Sequence, residues 1–457
     1  MSNKVMSVSE LLERSRKAQK QFEFATQETV DAASKALLKV IFDNQVELGT
    51  MAYEETRMGD LNDKIAKCKN KSCQIYHSIK DKKTVGIIKV DEENKIYNVA
   101  KPMGVVASIV PSTNPVVTPM SNGAFAIKTR NSVIFAPHPR AINLTKRIVE
   151  LFRGELKKLG LPEDLVLGLE EVSIEATGEL MAGSDIIVAT GGMGMVKSAY
   201  SSGTPALGVG AGNVQVIVDR DVDLDDAAEK ILNGRRFDNG LICLGEQTVF
   251  VPKELFDDFV KSFEKAGGFY VSDETETNNL REAMFPNKGP ISRDIVGQNA
   301  LKVAELAGLT VPATTKVIAA TASGLGHDDV LCREKMCPVL NIMTYDTFEE
   351  GVSKMVENLE AEGKGHSVGV HSNNKEHIEY VGVQCSVSRC IVNQPCGTTG
   401  GGSPTNGFTP TTTLGCGSWG NNSFSGNFNY TQLLNITRIG YLKDYSYLPH
   451  PEKVWEE

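Results

Sequence analysis

The chain has 457 residues, 41% of them hydrophobic and 23% charged, the composition of a folded globular protein with room for about three domains. A net charge of −9 provides no basic face for displacing phosphate counterions, which argues against a general nucleic-acid binder and for a small-molecule partner. Nine cysteines, an odd number at low density, fit a reducing compartment, so the expected location is the cytoplasm.

Residues 1–5 lead straight into a charged helical pattern, and no export signal is expected there. The most apolar long stretch, residues 103–120, contains three prolines and is not expected to span a bilayer. Ser9 is the expected cap of a first helix with apolar positions at Leu11, Leu12 and Ala18, and a more amphipathic helix is expected over 30–46. A helix over 61–79 carries Lys64, Lys67, Lys69 and Lys71, a run whose simplest reading is a solvated face. Residues 84–90 and 95–101, separated by Asp91-Glu92-Glu93-Asn94, predict a hairpin.

From Gly104 onward, short apolar runs at 105–110, 132–136, 165–169, 185–190 and 214–219 alternate with helices, the clearest over 144–159. Such alternation predicts a largely parallel sheet covered on both faces. The pattern restarts after Asp219, with helices over 224–235 and 252–266 and strands at 247–251, 316–320, 339–345 and 367–371, predicting a second α/β unit. From Gly397 the chain turns rich in glycine, serine, threonine and asparagine, with apolar strand material returning at 433–442.

Chemistry concentrates in a few connections. Phe237-Asp238-Asn239-Gly240-Leu241-Ile242-Cys243 joins a helix to a strand, and a cysteine on such a connection is well placed as a nucleophile once its thiolate is favoured. Val110-Pro111-Ser112-Thr113-Asn114-Pro115 puts Asn114 at the carboxyl end of a strand, where its amide N–H suits a developing oxyanion or, alternatively, a simple turn. Thr190-Gly191-Gly192 leaves a strand and opens a helix, a place where dinucleotide phosphates bind, although the spaced fingerprint with its acidic residue is incomplete. The turn Gly203 to Asn213 contains no carboxylate. Glu334 precedes a strand and is a candidate acceptor for ribose hydroxyls, and His366 precedes another strand beside a cleft. The spacings Cys332/Cys337 and Cys385/Cys390 are the loose end of metal-ligand spacing, and no metal is expected.

Taken in order, Pro-Ser-Thr-Asn-Pro, Ala-Thr-Gly-Gly, Gly-Val-Gly-Ala-Gly-Asn, Phe-Asp-Asn-Gly-Leu-Ile-Cys, Glu-Lys-Met-Cys-Pro-Val and Thr411 to Gly420 resemble the CoA-acylating branch of the aldehyde dehydrogenase superfamily, from about Ser7 to Tyr441. Within that branch the likeness is to members acting on succinate semialdehyde, through Lys82 to Lys89, Thr118-Pro119-Met120 and Asn393-Gln394-Pro395. The resemblance implies an α/β, aldehyde dehydrogenase-like fold with two doubly wound parallel-sheet domains and a β-hairpin oligomerisation arm. Its expected boundaries are 1–84 and 103–220 for the nicotinamide-cofactor domain, 221–410 for the cysteine domain, and 85–102 with 425–445 for the arm.

It further implies a reversible oxidation of succinate semialdehyde to succinyl-CoA by a homodimer or homotetramer. Cys243 would carry the thioester, Asn114 the oxyanion, and Thr190, Gly191, Gly192 and Glu334 the nicotinamide cofactor, with His366 as base for the CoA thiol. The apolar glycine turn, without the carboxylate that hydrolytic relatives use, leaves CoA instead of water as acyl acceptor. His138 and Arg140, with no acid in their segment, favour NADP over NAD. Lys67, Lys71 and Arg236 are candidates for the substrate carboxylate. The alternatives are the same chemistry on acetaldehyde or sulfoacetaldehyde, and a nicotinamide-free cysteine acyltransferase.

Overall fold

The structure, a computed structural model, describes residues 6–444 and 450–456. Residues 1–5, where no export signal is expected, and position 445, the expected end of the arm, lie outside them. Helices Val8–Phe22, Gln27–Asp43, Gln45–Thr56 and Leu61–Ile79 come first. The first is capped by Ser7, not Ser9, because Ser7 and Glu10 form a reciprocal capping box. The helix expected over 30–46 divides at Asn44, whose φ of −105° and ψ of 22° end one helix and open the next.

A hairpin of Gly86–Asp91 and Ile96–Pro102 pairs on its second strand with Leu434–Gly440, giving a three-stranded antiparallel sheet. Residues 425–427 do not join it; Ser425–Asn427 pairs with Leu414–Cys416.

Two all-parallel sheets carry the rest. One has five strands in the spatial order Val166–Gly168, Ser132–Ala136, Val105–Ile109, Ile186–Thr190, Ala206–Val209. The chain winds outward from Val105–Ile109 in one direction and then returns to its other side, so a switch point lies between Val105–Ile109 and Ile186–Thr190, where open α/β sheets bind ligands at their carboxyl ends. The second has seven strands in the order Gly268–Tyr270, Val317–Ala320, Val339–Tyr345, Glu246–Pro252, Val214–Val218, Val368–His371, Cys390–Val392. Strands such as Val105–Ile109, Ser132–Ala136 and Glu246–Pro252 are buried at every position, as helices on both faces require. The strands Ala206–Val209, Gly268–Tyr270 and Cys390–Val392 are only three or four residues long, too short for an apolar run to stand out in the sequence.

The lysine run is not a solvated face. Lys64, Lys67 and Lys71, spaced by three and four on one side of Leu61–Ile79, turn inward, and Lys64 and Lys67 are only 4% and 7% exposed. Among the described residues no helix is long and apolar enough to cross a membrane.

Candidate active site

The helix Leu224–Arg236 ends in a tight turn, Phe237–Gly240, where Asp238 (φ 49°) and Asn239 (φ 53°) adopt left-handed backbone that Asp and Asn tolerate better than most residues. The buried Arg235 anchors the surrounding backbone: Nε donates to the Cys337 carbonyl (3.0 Å), Nη1 to that of Glu246 (3.2 Å) and Nη2 to that of Lys335. Cys243 therefore emerges, half-buried, at the amino end of Glu246–Pro252. It lines a cavity of about 160 Å³ together with Asn114, Lys67, Lys71, Thr398 and Thr412. The expected nucleophile and oxyanion donor are thus brought into one cavity.

Asn114 Oδ1 accepts from Lys67 Nζ (3.0 Å), so the amide orientation is dictated by a donor that can only donate. Lys67 Nζ also lies 2.5 Å from Asp238 Oδ2, which Lys64 Nζ approaches at 3.3 Å. As a receptor for a substrate carboxylate Lys67 is already committed. Arg236 is exposed, donates to Asn233 Oδ1 (3.2 Å) and lies outside the cavity wall. Lys71 differs: its Nζ donates to the Gly401 and Gly402 carbonyls (2.9 and 3.2 Å) and, among the described residues, pairs with no carboxylate. Burial, with Lys67 adding to it, pulls its ammonium down to about 8.

Burial pushes the Cys243 thiol up to about 12, and the Glu334 carboxyl raises it further while the Arg389 guanidinium opposes both. Glu334 is itself held up to about 8 by burial and by Glu362, and its Oε1 accepts from Gly212 N (3.2 Å). Arg389, buried, donates to Ser367 Oγ (2.9 Å), the His366 carbonyl (2.9 Å) and the Gly415 carbonyl (3.1 Å). His366 does not line the cavity; it is 1% exposed, neither ring nitrogen has a partner among the described residues, and burial holds it well below the ordinary histidine range, hence neutral.

Thr190, Gly191 and Gly192 leave Ile186–Thr190 at the switch point and open the helix Met193–Tyr200, whose cap Gly192 supplies no side-chain hydrogen bond. Met195 N already donates to the Gly192 carbonyl (2.9 Å), which leaves the Met193 and Gly194 N–H groups of the first turn for an anion. A β-carbon at Gly192 would meet nothing within 4 Å, and one at Gly191 only Met195 at 3.8 Å, so the turn borders open space of the kind a dinucleotide needs. Thr190 Oγ1 touches Thr413 Oγ1 (3.4 Å), beside the cavity-lining Thr411 and Thr412.

His138 and Arg140 come directly after Ser132–Ala136, the neighbouring strand end. His138 Nδ1 accepts from Arg140 N (3.1 Å), and burial, then Arg140, lowers its pKa. The Arg140 side chain is exposed, with Met58 Sδ at 3.8 Å. The tertiary structure also brings an acid close in chain position: Glu55, from Gln45–Thr56, accepts from Asn143 N (2.9 Å) and Leu144 N (2.8 Å). The open turn at Gly191-Gly192 and the exposed Arg140 guanidinium have the chemistry that the phosphates of a dinucleotide would require.

Sequence reasoning missed Asp238, Arg389 and the cavity wall from 397 to 414. Neither Asp238 nor Arg389 had a readable signal: Asp238 stands in the legible Phe237–Gly240 turn, but its lysine partners lie more than 170 residues away in the chain. Among the described residues no group of three or more His, Cys, Asp or Glu is gathered as a metal site.

A model of the aldehyde dehydrogenase family matches residues 2–278, more than half of the chain. "Succinate-semialdehyde dehydrogenase (acetylating)" of Clostridium kluyveri is 51% identical over 455 residues, covering all of both chains. The crystal structure of an acetylating aldehyde dehydrogenase from Geobacillus thermoglucosidasius superposes with a TM-score of 0.92 at 34% identity, covering 97% of each chain. A Rhodopseudomonas palustris propionaldehyde dehydrogenase with bound propionyl-CoA superposes at 0.86 with 26% identity over 96% of each. With its two parallel sheets flanking a cysteine cavity and this similarity along its whole length, the chain belongs to the aldehyde dehydrogenase family.

Proposed function

We propose that the protein is a CoA-acylating dehydrogenase that interconverts succinate semialdehyde and succinyl-CoA, using NADP. The observation that carries the reading is the joint lining of one cavity by Cys243, Asn114 and a Lys71 ammonium with no carboxylate partner. Cys243, once its thiol proton has passed to solvent, adds as the thiolate to the aldehyde carbon, and the oxyanion so formed accepts N–H bonds from Asn114 and backbone. The nicotinamide, when bound, supplies the two-electron acceptor that turns this adduct into a thioester. CoA, its thiol proton given up to solvent, attacks the thioester carbonyl through its sulfur, and the Cys243 thiolate leaves as succinyl-CoA forms; His366, buried and outside the cavity, is not in reach of that proton in the ligand-free protein.

Water competes poorly because the glycine turn beside Cys243 carries no base, and Glu334, held near about 8, is mostly protonated at neutral pH. A buried ammonium with only neutral partners favours an anionic aldehyde such as succinate semialdehyde over acetaldehyde. The exposed Arg140 guanidinium favours the 2′-phosphate of NADP, His138 being committed to capping its own turn. In this reading the five-stranded sheet holds the cofactor and the seven-stranded sheet presents the cysteine. The three-stranded sheet, with open edge strands Gly86–Asp91 and Leu434–Gly440, is the subunit contact of a homodimer or homotetramer.

The test is nicotinamide reduction with succinate semialdehyde, acetaldehyde and sulfoacetaldehyde, with and without CoA. Expected is CoA-dependent reduction fastest with succinate semialdehyde and absent in Cys243→Ala. Equal efficiency with acetaldehyde, or free succinate formed as fast without CoA, would refute it.

A further inference from the structure

We infer that Lys67, held by Asp238, is a positioning residue for the oxyanion donor, a role that rests on the proposed function. Asp238 lies five residues before Cys243, on the turn that launches the nucleophile's loop. Its Oδ1 accepts from Asp60 N (2.8 Å) and its own N donates to Asp63 Oδ2 (2.8 Å), which clamps that turn to the start of Leu61–Ile79. Its Oδ2 holds Lys67 Nζ at 2.5 Å, and Lys67 Nζ donates onward to Asn114 Oδ1 at 3.0 Å. One carboxylate therefore ties the nucleophile's loop to the orientation of the Asn114 amide.

An amide whose oxygen is pinned by an ammonium presents its NH₂ edge in a fixed direction, and among the described residues Asn114 Nδ2 donates to no protein group, so it is left for the cavity it shares with Cys243. A cation on the amide oxygen also polarises the group and strengthens its N–H as a donor. Asp238 meanwhile compensates the Lys67 charge inside the protein, so that this ammonium, unlike that of Lys71, does not recruit an anion. Lys67 is buried at 7% exposure and the ion pair persists without ligand, so the donor is preorganised before substrate arrives.

The test is a double-mutant cycle of Lys67→Met and Asn114→Ala, read as kcat and KM with succinate semialdehyde and with acetaldehyde. Lys67→Met leaves Asp238 its second partner, Lys64, so the carboxylate is not stranded; should that variant not fold, Lys67→Leu carries the same cycle. Iodoacetamide alkylation of Cys243 at the wild-type rate certifies an intact site. Expected is a loss in kcat of about tenfold or more with both aldehydes alike, since one oxyanion donor is worth about a hundredfold or more when removed outright. Aldehyde KM should stay within about threefold, and the double variant should be no slower than Asn114→Ala alone. Additive losses, or a loss confined to KM for succinate semialdehyde, would overturn the positioning role and make Lys67 a carboxylate receptor or an independent contributor. Failure of the wild-type protein to reduce nicotinamide with any aldehyde and CoA would remove the functional reading itself, an outcome distinguishable from the first two.

Discussion

Gly212 and Cys243 touch through their backbones: a β-carbon at Gly212 would stand 2.0 Å from the Cys243 carbonyl oxygen and 3.0 Å from its Cβ. The glycine-rich turn that precedes Val214–Val218 is thereby pressed against the nucleophile's loop, and no flexible side chain is available to yield. Gly212→Ala must move one backbone or the other. A displacement of about 1 Å at a reacting group costs on the order of a hundredfold in rate, so Gly212→Ala is expected to lose at least that much kcat. Steady-state kinetics beside a thermal melt separate this loss from unfolding.

The Cys243 thiol, near 12 in the ligand-free protein, should be slow to alkylate and faster with rising pH. Glu334 opposes the thiolate only when ionised, which begins near about 8. In Glu334→Gln the alkylation profile should coincide with wild type below that pH and lie above it at higher pH. Arg389→Met removes a cation that favours the thiolate and should shift the profile to higher pH. Iodoacetamide rates across about pH 6 to 10 provide the check; identical profiles in all three proteins would contradict the charge arrangement.

Lys71→Met should raise KM for succinate semialdehyde by about tenfold or more, the value of a charge-assisted hydrogen bond in a desolvated site. Acetaldehyde, which offers no anion, should be processed as well as or better than by wild type. Kinetics with the two aldehydes decide between Lys71 and a receptor elsewhere.

Arg140→Ala should raise KM for NADP by about tenfold and leave that for NAD within about twofold, because only the former presents a 2′-phosphate to the guanidinium. Parallel titrations of the two cofactors measure it.

Glu246 is a buried acid whose Oε1 accepts from Cys396 N (2.6 Å) while Oε2 has no partner, and burial raises it from the ordinary 4.5 to about 8. The folded protein keeps a proton there that the unfolded chain releases above about 4.5, so stability contributed by this group falls as pH rises through about 8. Glu246→Gln should flatten the decline in Tm between about pH 5 and 8, above which the group contributes no further slope, read by thermal melts at each pH.

The alternation of apolar runs with amphipathic helices made both parallel sheets legible, because buried strands need unbroken apolar runs and the crossover helices between them need a polar face. The Asp238-Asn239-Gly240 turn was equally legible as a connection, its residues suiting left-handed backbone. The lysine run was misread since exposure is a property of neighbours: Asp238 comes from a segment about 170 residues away, and its carboxylate makes burial of Lys64 and Lys67 tolerable.

By itself the sequence determined the main alternation of strands and helices, the loop that bears Cys243, the loop that bears Asn114 and the glycine turn without a base, all of them local patterns fixed by backbone preference and side-chain period. Tertiary structure alone decided which two of three cations line the substrate cavity, which acid holds Lys67 and that Arg389 tempers the Cys243 thiol. Those are matters of distance and desolvation between segments far apart in the chain, and Coulomb energy depends on separation and dielectric, neither of which is written in residue order.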